Sequence, residues 1–495
     1  MAFLLNEDFE NFAAHRPLEE LSEYGIRKQL DLYCSGGDNI LIFNGNGQKA
    51  VFDSEVFDSL WKDLEIREDG TVFYRGKEVM DSPLPFKSNA LHTKILFDNV
   101  KDPFGLRIAY GRELGRKVYL SMRMNDVHWV ENIDSTMVSD FWREHQDCQT
   151  ASFTNPGQWW FHSFNYAKPE VYSFHLALVK EYLTRFDPDG LELDWMRTPY
   201  YFEFGWEVEN APILTEFLRE SRKLAEECAE KNGHPVALTV RVPADPDDAR
   251  RMGFDVITWV KEKLVDRVVL TSYWGVTNYD IPLELWRALL GNDVKITAGL
   301  EILCRCSPTN SGDCMNDSAV VFGHAASYYY RGSDDIYLFN HMDASTGMRN
   351  LAEFRKVLEN LGDREKTERQ KRRHLVTFED SLSKAVGKTA VSPLPMTLSA
   401  WHKQIRINLG GKVKNRNAKL VLSCENGLPE DVRCGNMICT KTEETFTDKL
   451  PGNVKNPVVY QIPDEALKEG DNVLSFLGDK VVIHWCEIVL DEMKS

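Results

Sequence analysis

Between residues 189 and 197 the chain reads Asp189-Gly190-Leu191-Glu192-Leu193-Asp194-Trp195-Met196-Arg197, with apolar and acidic positions alternating at a period of two. That period predicts a strand with Leu191 and Leu193 on one face and Glu192 and Asp194 on the other, so the strand is not ordinary core. The segment before it, 169–186, carries Val171, Phe174, Leu178, Val179, Tyr182, Leu183 and Phe186 at helical spacing behind Pro169, which suits a first turn. The same succession recurs along the chain. Apolar runs at 38–44, 117–124, within 158–166, 189–194, 235–242, 267–274, 293–302 and 335–339 predict eight strands, and patterns such as 103–115, 211–231 and 317–330 predict helices between them. Eight such repeats over about 300 residues describe a (β/α)8 TIM barrel, whose chemistry sits at the C-terminal ends of its strands.

A hairpin turning at Asp69-Gly70 interrupts the series. Residues 1–37, polar and helix-like, read as a lead-in, 38–362 as the barrel, and 363–396 as a charged connector. Beyond it the character changes: short strands at 397–408, 419–424, 458–462, 472–476 and 481–490, separated by Gly, Asn and Pro, predict a C-terminal all-β sandwich over 397–495. The expected class is α/β, a TIM barrel followed by an all-β sandwich.

Composition narrows the partners. With 43% hydrophobic and 27% charged residues the chain is an ordinary globular protein, and a net charge of −17 argues against nucleic acid or anionic membranes as partners. The one basic run, 366–373, reads as a solvated helix of the connector. Ten cysteines without CxxC spacing read as reduced thiols, and Cys304, Cys306 and Cys314 have no histidine nearby to complete a zinc site. No metal and no organic cofactor are expected. Met1-Ala2-Phe3-Leu4-Leu5 is followed at once by Asn6, Glu7 and Asp8, and no apolar run reaches membrane-spanning length. The expected compartment is therefore the cytoplasm, or the periplasm or exterior if a leader has been trimmed. Association into a homo-oligomer stays open.

The passage from Asn165-Tyr166-Ala167-Lys168-Pro169-Glu170-Val171 through Phe186-Asp187-Pro188-Asp189-Gly190 to Arg197 resembles glycosyl-hydrolase-like barrel proteins, the family-10-like group of bacterial origin. The resemblance covers roughly residues 38–345 and implies a glycoside hydrolase acting on an oligo- or polysaccharide. The run is also similar to the chitinase signature DGxDxDxE, but Glu192 stands at its first internal Asp and Met196 at its catalytic Glu, which removes chitin cleavage.

Glycoside cleavage needs two carboxyl groups, one to protonate the leaving oxygen and one to attack or to activate water. Asp194 ends the fourth strand and Glu301 the seventh, so these two are the expected catalytic pair. In the retaining barrel glycosidases that this layout resembles, the strand-four carboxylate is the acid/base and the strand-seven Glu the nucleophile. Here strand four ends in Asp, which other barrel glycosidases use as nucleophile, so the roles stay open. Burial beside Trp195 and the charge of Glu192 would raise Asp194 and favour it as donor, with Arg305 keeping Glu301 ionised.

Polar residues at the other strand tips are the expected sugar contacts: Asn44 and Gln48; Arg123, Asn125, Asp126 and His128; Arg197, Arg241, Tyr273 and Asn340. Glu192 and the aromatic Trp195 and Trp274 join them, as flat apolar rings stack on pyranoses; Trp129, Trp159, Trp160, Tyr200, Tyr201 and Trp206 lie at the same ends. Each has a structural alternative: Asp194 could cap its loop or pair with Arg197 or Arg241, Glu301 could pair with Arg305, and the strand-two tip could be an internal network. A metal- or phosphate-handling barrel lacks its His-x-His pairs and Gly-rich loop here, whereas a carbohydrate-binding barrel without turnover fits the same residues.

Overall fold

The structure is a computed structural model that describes residues 2–8, 11–79, 86–150, 159–273, 276–308, 314–343, 348, 350–380 and 392–493. Eight parallel strands close into a barrel: β1 Phe3–Glu7, β2 Asn39–Asn44, β3 Lys117–Arg123, β4 Gly190–Asp194, β5 Ala237–Pro243, β6 Arg267–Thr271, β7 Lys295–Leu300 and β8 Asp335–Phe339. β1 pairs with both β2 and β8 and so closes the ring. The predicted lead-in thus contains the first barrel strand, and the strand expected within 158–166 does not form. A 3-10 turn, Trp159–His162, stands there instead; Gln158 lies outside the described residues. The barrel count of eight survives because these two differences offset each other.

Alternation in β4 has the predicted consequence. Leu191 and Leu193 pack outward into the layer between barrel and helices, where each fully buried leucine stabilises the fold by roughly 1.5–3 kcal/mol. Glu192 and Asp194 point into the barrel. The register then chooses their neighbours, setting Glu192 beside Ser121 and Thr239, and Asp194 beside Arg123 and Arg241. The outer helices follow the sequence closely: Asp102 caps Pro103–Glu113, Asp317 caps Ser318–Tyr330, and Pro169–Phe186 opens on its proline without a side-chain cap. Among the described residues no helix is long and apolar enough to cross a membrane.

The C-terminal region forms two antiparallel sheets that share one apolar core, with Ile405, Ile407, Leu474 and Phe476 from one meeting Leu420, Ile483, Trp485 and Ile488 from the other. Part of the predicted connector belongs to this sandwich: Arg372–Leu375 is a strand paired with Val482–Leu490. The basic run is likewise only half a solvated helix. Arg364–Arg369 is helical, but Arg372 and Arg373 are buried, Arg372 donating to the carbonyls of Leu409 and Gly411 and Arg373 to Glu487 and Asp317. Arginine tolerates this because its forked donors meet acceptors, all but the buried Nε of Arg372. The same strand lies against helix Ser318–Tyr330, where a Cβ on Gly323 would fall 2.1 Å from the Arg373 carbonyl oxygen. Glycine there permits the barrel and the sandwich to touch. Further along, Thr377 donates to the Thr277 carbonyl, and the Asp380 carbonyl accepts from the Tyr273 amide, so this segment props the loop after β6.

Candidate active site

Stacked layers of inward side chains lead up to the site. Near the bottom Arg267 bridges Thr297 and Asp335. Above it Glu192 accepts hydrogen bonds from Ser121 at 2.7 Å, Tyr337 at 3.0 Å and Asn6 at 3.2 Å, all through one oxygen. At the top Arg241 donates from Nη1 to Asp194 at 2.9 and 3.0 Å and from Nη2 to Glu301 at 3.0 Å, while its guanidinium lies 3.7 Å from the centre of the Phe339 ring. Asp194 also accepts from the Met196 amide at 2.9 Å. The two predicted catalytic carboxyls are therefore brought to one cation at the barrel's C-terminal mouth. That cation is Arg241, and Arg305 does not take the role expected of it.

Burial governs the electrostatics. Glu301 is pushed up to about 8, chiefly by desolvation, with Asp194 and Asp380 adding to it and Arg241 opposing. Glu192 is pushed up to about 7, again by burial first and then by the Asp194 charge. Of the two strand-four acids, Glu192 is the one raised, with the Asp194 charge adding to its burial. Arg241, although buried, is held above its ordinary range by Asp194 and Glu301.

A cavity of about 390 Å³ opens above this layer, lined by Val127, His128, Trp129, Glu131, Arg197, Thr198, Tyr273, Glu301, Ile302, Phe339 and Asn340. Three non-glycine residues on its wall hold left-handed backbone, Trp129 at φ 64°, Thr198 at 59° and Asn340 at 53°. Such strain, greatest for the β-branched Thr198, gathers where a fold over-determines a functional surface. Glu301 closes the bottom with one carboxyl oxygen, Oε2, that is buried and has no hydrogen-bond partner.

Of the predicted contacts, Glu301, His128, Arg197, Tyr273 and Asn340 line the cavity, and Trp274 lies outside the described residues. The others stand elsewhere. Asn125 is consumed by backbone, donating to the Phe164 and Tyr200 carbonyls and accepting from the Phe164 amide. Trp195 is fully buried among Tyr166, Tyr201 and Phe217, a core ring and not a sugar platform. Asn44 and Gln48 are buried beside the Ser121 carbonyl and the Ser139 amide. Arg123 is bonded to Asp8 and Asp126, and Asp126, not itself on the cavity wall, holds His128. Burial pushes Asp126 up, but His128, Arg123 and Arg197 together outweigh it and hold it well below the usual carboxylate range. The tip of β3, the second of the strands read from the sequence, is therefore an internal network, which the sequence allowed as an alternative.

Asp8 and Asp380 escaped notice in the sequence. Asp8 follows the apolar run Phe3-Leu4-Leu5, the same signature that marks β4, and pairs with Arg123. Asp380 reaches the site from the sandwich side, for which nothing local in the chain gives a signal. Among the described residues Asp245, Asp248 and Glu379 are close enough to share a cation, but Asp245 is occupied in capping the helix Pro246–Arg251.

No protein-family model and no curated protein matches the chain. Among solved structures it is similar to a noncanonic maltogenic alpha-amylase AmyB from Thermotoga neapolitana (10% identity, TM-score 0.37, covering 100% of this chain and 99% of that one). It is also similar to a putative alpha-L-fucosidase from Bacteroides thetaiotaomicron (11%, 0.35, 99% and 95%) and to alpha-L-fucosidase isoenzyme 2 from Paenibacillus thiaminolyticus (15%, 0.38, 72% and 49%).

Proposed function

We propose that the chain hydrolyses a glycosidic bond, with Glu301 as proton donor and Asp194 as the second carboxylate. The observation that carries this reading is Glu301: a buried carboxyl on the cavity wall, pushed up to about 8, with Oε2 unbonded. At neutral pH it holds the proton that a leaving glycosidic oxygen must receive, which is what burial does for the general acids of glycosidases. Asp194 accepts through both oxygens from Arg241 Nη1, at 2.9 and 3.0 Å. A carboxyl raised by burial beside one ion-paired to a guanidinium suits an acid and an anion. This inverts the order in which Asp194 would be the donor. Trp129, Tyr273 and Phe339 give the cavity apolar surface for a sugar ring. The likeness of the 165–197 passage to family-10-like barrels agrees with it.

In the step proposed, the bond between anomeric carbon and glycosidic oxygen breaks as the oxygen takes the Glu301 proton, water adds its hydroxyl to the anomeric carbon, and the proton that water releases restores Glu301 to its acid form. The competing reading is a sugar-binding barrel without turnover. It draws on the burial of both carboxyls, Glu301 at 0% and Asp194 at 1% exposed, and on the position of Asp194, which does not line the cavity. Aryl glycosides separate the two. A hydrolase should lose about 10²–10⁴-fold in kcat on Glu301→Gln with a poor leaving group and far less with a dinitrophenyl leaving group, which needs no proton. Equal losses on both leaving groups would remove Glu301 as the acid, and the absence of turnover in the parent with sugar binding intact would leave the binding barrel.

A further inference from the structure

Arg197 stands on the cavity wall with most of its hydrogen-bonding capacity unspent. The two other arginines at the strand ends each have carboxylates, Arg123 with Asp8 and Asp126, Arg241 with Asp194 and Glu301. Arg197 makes no ion pair among the described residues, and the Asp126 charge acts on it only across His128. Its Nη2 donates to His128 Nε2 at 2.6 Å, and its Nε is buried without a partner.

The contact to His128 is a mounting and not a neutralisation. Asp126 accepts from the His128 backbone amide at 3.0 Å and from its Nδ1 at 2.7 Å. Nδ1 therefore carries the proton, and Nε2 offers its lone pair to Arg197. Asp126 is in turn fixed by Arg123. The chain from Arg123 through Asp126 and His128 fixes one nitrogen of the guanidinium, and among the described residues the other two have no hydrogen-bond partner, Nε being buried behind the cavity wall that Arg197 lines. A guanidinium beside apolar walls is costly unless an anion meets it, and its planar donors match a carboxylate or a sulfate oxygen pair.

We infer that the cavity takes a glycoside bearing an anionic substituent, a uronate carboxylate or a sulfate ester, and that Arg197 is the residue that reads it. This rests on the reading of the cavity as a sugar site. Glu301 does not compete for Arg197, since it is bonded to Arg241.

Calorimetry tests it with methyl glucuronide, methyl glucoside 6-sulfate and methyl glucoside, in both anomers, on the parent, Arg197→Gln and Arg197→Lys. At least one anionic probe should bind about tenfold more tightly than the neutral glucoside, as a charge-assisted pair would give, and the gain should vanish in Arg197→Gln and shrink with salt. A gain for glucuronide alone names a uronate, and a gain for the sulfate alone names a sulfate ester. Should Arg197→Gln misfold by thermal melting, Arg197→Lys and the salt dependence of the parent carry the test. Equal affinity for neutral and anionic probes, a preference that survives Arg197→Gln, or no binding of any probe overturns the inference. Charge-dependent binding without turnover of aryl glycosides would sink the hydrolase and leave this inference standing. Turnover of neutral aryl glycosides without charge preference would do the reverse.

Discussion

Arg241 reaches Glu301 through Nη2 at 3.0 Å while Nη1 of the same guanidinium holds Asp194. The carboxyl on the cavity wall is thereby coupled to one that is shut away, and the electrostatics of the mouth turn on a single buried cation. Removing that cation should be severe. Arg241→Met would leave two buried carboxyls without their partner, at a cost of about 3–5 kcal/mol, whereas Glu301→Gln keeps an acceptor for Nη2 and should cost far less. Urea denaturation of the two variants checks the order; equal stabilities would mean that the bridge carries no weight.

Stability should fall as pH rises through neutrality. Glu301 and Glu192 are raised from the ordinary 4.5 to about 8 and about 7, so both bind protons more tightly in the folded chain. Their contribution is complete below about 4.5 and lost as pH climbs through those two values, at no more than about 1.4 kcal/mol per pH unit for each group. Asp126, held low, acts in the opposite sense: its contribution is present above its ordinary 3.8 and lost as pH falls. Urea midpoints should decline between about pH 5 and about pH 8, and the Glu192→Gln, Glu301→Gln double variant should be flatter. An unchanged slope in that variant would assign the titration to other groups.

Two tryptophans near the mouth should behave differently. Trp195 is fully buried, and Trp195→Ala should cost about 3–5 kcal/mol. Trp129 is 37% exposed on the cavity wall, and Trp129→Ala should move stability by less than about 1 kcal/mol while weakening sugar binding by up to about tenfold. Thermal melts with calorimetry separate them, and a Trp129 variant that binds sugar like the parent would take that ring out of the site.

Asp126→Asn should act through its neighbours. Arg123 would lose one of its two carboxylates and keep Asp8, destabilising the chain by about 1–3 kcal/mol, and His128 would lose the charged acceptor that fixes its tautomer. Imidazole nitrogen shifts of His128 report this directly: proton on Nδ1 in the parent, mixed tautomers in the variant. A parent ring protonated on Nε2 would contradict the arrangement drawn here.

Local pattern carried a large part of the architecture. The alternation of Leu191 and Leu193 with Glu192 and Asp194, and the helical spacing before it, were enough for β4 and its helix, because side-chain period follows from backbone geometry. Where a segment was short the same logic failed: Phe3–Glu7 is a five-residue strand whose apolar residues and acids look like a polar lead-in until β2 and β8 flank it. Arg372 and Arg373 read as solvated charge because burial of an arginine depends on acceptors that arrive from Leu409, Gly411 and Glu487 far along the chain.

For the site the division is sharper. By itself the sequence determined that carboxyls end strands four and seven, since strand length and period place them there. Only the tertiary structure decided that Arg241 binds both, that Glu301 faces the cavity while Asp194 does not, and that Arg123, Asn125 and Asp126 spend their polarity on each other and on backbone. Barrel closure and register set those partners, and the pairing energy of a buried polar group belongs to the neighbours it meets, which no single segment encodes.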